Sequence, residues 1–159
     1  MLERLKMIMK MGLFDKNIII ITKKGQCIHI DTKDVSAIGR ATSGIKAIKL
    51  AEDDEVLVGL PIINKNEQLA VFTKYGYGKK TNLDEFPLQG KNGKGVIIYK
   101  ETPGTGPIVG AAIVSETDNL LLSGKSAICI AANEVPLLGR TATGNIMIKK
   151  GEIGSIIKL

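Results

Sequence analysis

The side chains with most to offer a ligand are basic and stand beside glycine. They are Lys74, Lys79 and Lys80 in Lys74-Tyr75-Gly76-Tyr77-Gly78-Lys79-Lys80-Thr81, and Lys91 and Lys94 in Gln89-Gly90-Lys91-Asn92-Gly93-Lys94-Gly95. A lysine supplies a cation, and a neighbouring glycine lets backbone N–H groups approach an oxyanion, so this pairing suits contact with phosphate. In residues 64–114, seven lysines (65, 74, 79, 80, 91, 94 and 100) face Glu67, Asp84, Glu85 and Glu101, a local charge of +3, whereas residues 14–63 are balanced. The whole chain carries 22 Lys and Arg against 16 Asp and Glu, a formal +6 that favours polyanionic partners. Taken alone, the pattern fits solvated lysines between glycine turns equally well.

Bond-making chemistry has few candidates. Gly124-Lys125-Ser126 ends like a phosphate-binding loop, but the glycine required five residues earlier is Asn119. Gly104-Thr105-Gly106 and Gly93-Lys94-Gly95 continue to Val109 and Ile98, not to the third glycine of a dinucleotide fingerprint. His29 is the only histidine, sits in an apolar run and reads as a structural hydrogen-bonding residue. Glu52-Asp53-Asp54-Glu55 reads as a solvated acidic turn, with a divalent-ion site as the rare alternative. Cys27 and Cys129 lie in apolar runs without metal-ligand spacing and read as reduced core thiols. No cofactor, no metal and no enzymatic activity is expected.

The elements that position the lysines come from a repeat. Asp34-Val35-Ser36-Ala37-Ile38-Gly39-Arg40-Ala41-Thr42-Ser43-Gly44 aligns without a gap with Glu134-Val135-Pro136-Leu137-Leu138-Gly139-Arg140-Thr141-Ala142-Thr143-Gly144. Glu85 to Gly95 keeps the acid, the apolar residue, the Gly-basic pair and the closing glycine. Gly44, Gly95 and Gly144 are thus 51 and 49 residues apart, a period that sets the fold class. Before each anchor, apolar runs flank a turn: Ile18–Thr22 and Gln26–Ile30 around Lys23-Lys24-Gly25, Leu69–Thr73 before Lys74-Tyr75-Gly76, and Leu120–Leu122 and Ala127–Ile130 around Ser123-Gly124-Lys125. These predict β-hairpins. Shorter runs follow each anchor: Ile45–Leu50 with Val56–Ile63, Val96–Tyr99 with Ile108–Val114, and Ile146–Ile148 with Ile153–Ile157.

About four strands per unit predicts an all-β, propeller-like array of three four-stranded blades. The expected units are 14–63, 64–114 and 115–159, forming one domain over 14–159. Residues 1–13 place Leu2, Leu5, Ile8 and Met9 at helical spacing and predict a short capping helix. Three blades leave two faces uncovered. A homodimer joining three blades to three, an open arc, and a piece of a longer chain all meet that requirement. Charges interrupt the N-terminal apolar run and no stretch approaches about 20 apolar residues, so a cytoplasmic chain with no membrane partner is expected.

The segment Phe72 to Thr81, continuing through Asp84-Glu85-Phe86 to Gln89–Gly95, resembles the repeats of the C-terminal domain found in the A subunits of bacterial DNA gyrase and topoisomerase IV. The shared pattern is a hairpin carrying G-Y-G-K-R-T, an acid-aromatic pair and a glycine-rich basic loop. Ile38–Gly44 and Leu138–Gly144 look like degenerate copies of that loop. The resemblance runs from about Leu13 to Leu159. It implies a β-pinwheel whose blades exchange strands and whose basic rim bends duplex DNA, in an accessory domain without cleavage or ATPase activity.

Carried onto this sequence, the resemblance names Lys74, Lys79, Lys80, Lys91, Lys94, Arg40, Lys46 and Arg140 as DNA-contacting, with Gln89, Gly90, Lys91, Asn92, Gly93, Lys94 and Gly95 as the box-like loop. Two departures stand out: three repeats in place of the usual six, and a box without its paired arginines. The implied partners are double-stranded DNA, gyrase or topoisomerase subunits and a second copy of the chain, in a nucleoid-associated cytoplasmic setting. A protein-interaction propeller that has lost wrapping is the alternative.

Overall fold

A computed structural model describes residues 17–35, 46–149 and 151–159. The expected helix at 1–13 lies outside these, as does Arg40. The described strands are β1 (Asn17–Thr22), β2 (Gln26–Asp31), β3 (Val56–Ile62), β4 (Gln68–Thr73), β5 (Tyr77–Asn82), β6 (Val96–Ile97), β7 (Ile108–Val114), β8 (Asn119–Gly124), β9 (Ala127–Ala131), β10 (Asn145–Ile146) and β11 (Ile153–Lys158). A single 3₁₀ turn follows the hairpin of each unit, at Thr32–Asp34, Leu83–Glu85 and Ala132–Glu134.

Each hairpin forms where β-branched or aliphatic runs meet a turn that their register can close. Ile21 pairs with Cys27 and Phe72 with Gly78, so five residues make each of the first two turns. Gly25 and Gly76 close them at φ +90°. Successive side chains point to opposite faces of a strand, which lets one isoleucine run serve two layers. Ile19 and Ile21 pack with Leu69, Val71, Ile108 and Ile113 between the first two sheets. Ile18 and Ile20 turn the other way and join Ile28, Ile30 and Ile48. Between the second and third sheets, Ala70 and Phe72 meet Leu120, Leu122 and Ile153. Apolar residues on both strand faces are therefore consumed by stacking sheets in series.

The sheets are not the one-unit blades that the repeat alone suggested; they exchange strands, as the resemblance implied. Their strand orders are β3-β1-β2-β6, β10-β5-β4-β7 and β11-β8-β9. The outer strand of the first sheet, β6, belongs to the second unit, and the outer strand of the second sheet, β10, belongs to the third. Val96 lies opposite Cys27 and Asn145 opposite Gly78. The runs predicted over Val96–Tyr99 and Ile146–Ile148 thus contribute two-residue strands to the preceding blade. Ile48 makes only an isolated bridge to Gly93, so the strand expected over Ile45–Leu50 does not form among the described residues. The third sheet has three described strands, because no donated strand lies beside β9.

The closing glycines explain the repeat's strictest positions. Gly95 has φ +72° and a Cβ there would stand 2.3 Å from the Cys27 carbonyl oxygen. Gly144 has φ +93° and its Cβ would stand 2.8 Å from the Gly78 oxygen. Each glycine is where the chain turns into the neighbouring sheet against its backbone, in a conformation that L side chains rarely adopt.

Candidate nucleic-acid interface

The box-like loop is fastened to the first blade by backbone bonds. Gln89 N donates to the His29 carbonyl at 2.7 Å, Asn92 N to Ala47 O at 2.9 Å and Lys49 N to Gly93 O at 2.9 Å. The His29 ring contributes Nδ1, 2.7 Å from Phe86 O, which is the structural role expected of it. Asn92 takes a left-handed turn at φ +61°. This pairing brings residues 46–49 of the first unit alongside 91–94 of the second. Lys46, Lys49, Lys91 and Lys94 are exposed. None of their ammonium groups has an ion-pair or hydrogen-bond partner among the described residues.

Lys79 and Lys80 lie elsewhere than on the rim where the motif suggested them. They are buried, with 1% and 2% of their surface accessible. Lys79 Nζ donates to the carbonyls of Gly139 at 3.1 Å and Arg140 at 2.6 Å. Lys80 Nζ donates to Glu116 at 2.7 Å. Thr81 Oγ1 donates to Leu138 O at 3.0 Å, while backbone bonds join Lys80 N to Pro136 O and Leu138 N to Lys80 O. The Lys-Lys-Thr run thereby holds the third unit's Gly-Arg loop against the second blade. Desolvation pushes the Lys79 amine down to about 8; Glu85 opposes this and Arg140 reinforces it.

Two further basic residues are partly engaged. Lys74 is half-buried, 3.6 Å from Glu152 and 5.6 Å from the Tyr75 ring centre. Arg140 donates from its guanidinium to Ile97 O at 2.7 Å, and its backbone N to Glu85 at 2.7 Å. The acidic turn pairs with the first hairpin: Asp53 meets Lys24, Glu55 meets Lys23, and Asp54 accepts from Lys24 N at 3.1 Å. Of the two cysteines expected in the core, Cys27 is buried and Cys129 is exposed. Burial pushes the Cys27 thiol up to about 12.

One set of basic residues was missed by motif reading. Lys49, Lys100 and Lys149 each stand five residues after a closing glycine, at Gly44, Gly95 and Gly144. All three are exposed and their ammonium groups lack partners among the described residues. The repeat offset itself was the signal that could have found them.

Sheets stacked in series, with outer strands donated by the following unit, define a propeller-like β-pinwheel. The three units match, over residues 16–62, 67–115 and 128–157, the family described as the DNA gyrase C-terminal domain, beta-propeller, and the chain belongs to that family. The family is that of a non-catalytic accessory domain.

Among similar proteins, the DNA gyrase A subunit of Campylobacter jejuni is 38% identical over 149 residues, covering 90% of this chain and 17% of that protein. The DNA gyrase A subunit of Aminobacterium colombiense is 34% identical over 140 residues, with 87% and 17% covered. The chain thus spans about a sixth of these relatives' length. A solved DNA gyrase A C-terminal domain superposes with TM-score 0.82 at 29% identity, covering 91% of this chain and 50% of that one. The C-terminal domain of DNA topoisomerase IV shares the fold at TM-score 0.86 and 24% identity, covering 92% and 47%.

Proposed function

We propose that this domain binds and bends duplex DNA without sequence preference, along a rim defined by the repeated exposed lysines. The carrying observation is the recurrence of an exposed, unpartnered lysine at one repeat position, Lys49, Lys100 and Lys149, reinforced by Lys46, Lys91 and Lys94 at the box-like loop. Phosphate contact releases counterions and rewards charges spaced along a curved path, whereas base reading needs groove-entering donors in a fixed array. Six aromatic residues in the whole chain, with Tyr99 buried, disfavour a stacking platform for single strands. Arg140 takes a lesser part here because its guanidinium already serves Ile97 O, and Arg40 lies outside the described residues. Lys74 adds a contact only if it leaves Glu152.

The partners that follow are double-stranded DNA, the remainder of a gyrase-type topoisomerase and, for a three-bladed unit, a second copy. The setting is the bacterial cytoplasm at the nucleoid. Support comes from the family relationship and from the absence, among the described residues, of a helix long and apolar enough to cross a membrane.

The test is anisotropy with a duplex of about 40 base pairs, long enough for bending to be measured well below the persistence length. The wild-type chain should bind at roughly 50 mM salt and lose affinity steeply by roughly 200 mM. Replacing Lys49, Lys100 and Lys149 together by Glu should weaken binding to every sequence and flatten the log–log salt slope by about 0.9 for each phosphate no longer neutralised. Wild-type protein that ignores duplex at low salt would leave the interaction-propeller reading in its place.

A further inference from the structure

We propose that two aliphatic pairs on the outer blade edges, Leu88 with Ile97 and Leu137 with Ile146, cover the deoxyribose faces of bound duplex between phosphates that neighbouring cations hold. The inference rests on the DNA reading above and adds to it a salt-insensitive contact that tells deoxyribose from ribose.

The pairs recur in the structure. In the first blade Leu88 bridges His29 and Ile97 lies opposite Gln26, three residues along β2 or about 10 Å at the usual strand rise. In the second, Leu137 bridges Lys80 and Ile146 lies opposite Tyr77, again three residues along β5. Hairpin register makes His29 equivalent to Lys80 and Gln26 to Tyr77. The recurrence is also in the sequence. Leu88, Lys91, Lys94 and Ile97 stand at every third position, as do Leu137, Arg140, Thr143 and Ile146, so each pair flanks a cation three residues after its leucine. The Arg140 guanidinium donates to Ile97 O at 2.7 Å, which joins one row to the other.

Leu88, Ile97, Leu137 and Ile146 are 56%, 55%, 51% and 55% exposed. That exposure belongs to the rim and not to an uncovered blade face. Leu88 shares the sheet face of His29 and Ile19, and Ile19 packs toward the second blade. Ile146 shares the face of Tyr77, Lys79 and Val71, and Val71 packs toward the first. Both stay half exposed with a sheet stacked on that side.

A duplex backbone alternates anionic phosphate with a deoxyribose ring whose C–H face is apolar. A rim that alternates cation with aliphatic matches that order, and the unpartnered Lys91 and Lys94 between the aliphatics select a polyanion over an apolar protein face. Backbone bonds hold the rows in place beforehand: Gln89 N to His29 O at 2.7 Å and Ile98 N to Gly25 O at 2.9 Å in one, Leu138 N to Lys80 O at 2.9 Å and Met147 N to Gly76 O at 2.8 Å in the other. Little ordering is therefore left to pay when a duplex arrives. A 2′-hydroxyl set against an aliphatic side chain loses water without gaining a partner, so the same contact disfavours ribose.

The experiment is anisotropy of the 159-residue chain with a duplex of about 40 base pairs, all-deoxy or carrying single ribonucleotides spread along both strands. Ribose should weaken wild-type binding several-fold, a comparison that needs no variant. Leu88→Ala, Ile97→Ala, Leu137→Ala and Ile146→Ala together should weaken all-deoxy binding roughly tenfold at every salt concentration, abolish the ribose effect and keep the wild-type salt slope, since no cation is removed. Met at the same four positions keeps an apolar tip and should restore both properties. Circular dichroism should show the alanine variant folded, because all four side chains are half exposed. Wild type that binds the two duplexes equally, or an alanine variant that binds as wild type, overturns the proposal and leaves the DNA reading standing. A flattened salt slope, which assigns the loss to displaced lysines, does the same, as does a variant whose only change is lost self-association in light scattering. Wild type that binds neither duplex removes the DNA reading and this contact with it.

Discussion

Lys79 and Lys91 belong to the same unit, lie a dozen residues apart and carry the same side chain, yet they serve opposite purposes. Lys79 stands mid-strand on β5, where the third unit's loop lies across it, and its ammonium reaches the carbonyls of Gly139 and Arg140. Lys91 stands at the tip of a loop whose backbone is already bonded to the first blade, and its ammonium faces water. The contrast teaches that a lysine's role in this fold depends on whether the next unit covers it. A covered lysine acts as a clasp between blades. An uncovered one adds to the surface field available to a polyanion.

The largest expected effect breaks the clasp. Lys79→Ala should destabilise the domain by about 2–4 kcal/mol, since it empties the space of a buried stem, takes the Nζ donor from the Arg140 carbonyl and leaves Gly139 O with the Ala142 N–H alone. Lys91→Ala should change stability by less than about 0.5 kcal/mol. Urea unfolding of the two variants side by side reads the difference, and equal midpoints would erase the contrast.

Duplex affinity should invert the ranking. Lys91→Ala with Lys94→Ala should flatten the log–log salt slope by about 0.9 for each phosphate set free. Lys79→Ala, measured below its own unfolding transition, should leave that slope unchanged. A clasp variant with the flatter slope would place Lys79 on the DNA side after all.

A smaller effect appears with pH. The Lys79 amine is held near 8, below the ordinary lysine value, so the folded state releases this proton before the unfolded state does. Below pH 8 the burial cost of the charge is fully present; as pH rises from about 8 toward 10 it is relieved, and stability from this group should rise. Lys79→Met should remove that rise, as monitored by denaturant midpoints across the range. The smallest effect belongs to Lys80: its partner Glu116 is more than half exposed, so Glu116→Gln should cost only about 0.5–1 kcal/mol.

Much of the fold was legible in particular residues. Ile18 to Thr22 and Leu69 to Thr73 are apolar on both strand faces, which only sheets stacked on either side can satisfy, and the 51- and 49-residue glycine spacing marked the units. Strand exchange was not legible from Val96 or Asn145 themselves, because a two-residue strand carries too little pattern to say which sheet it joins. The site was legible in part. Lys91, Lys94 and Lys46 are where a phosphate could meet them, and the lysine five residues beyond each closing glycine was available to simple counting. Lys79 and Lys80 were misplaced because Tyr77-Gly78-Lys79-Lys80-Thr81 is polar and reads as solvated. Their burial depends on Pro136 to Arg140, some 60 residues later.

The amino-acid sequence by itself determined the repeat, the hairpins, the turn glycines and the net positive charge, because these depend on local backbone preference and residue chemistry. Tertiary structure alone decided which sheet received β6 and β10 and which lysines were covered. Those outcomes follow from backbone hydrogen bonds between units, whose partners are fixed by packing distant segments together and leave no local signature in either segment.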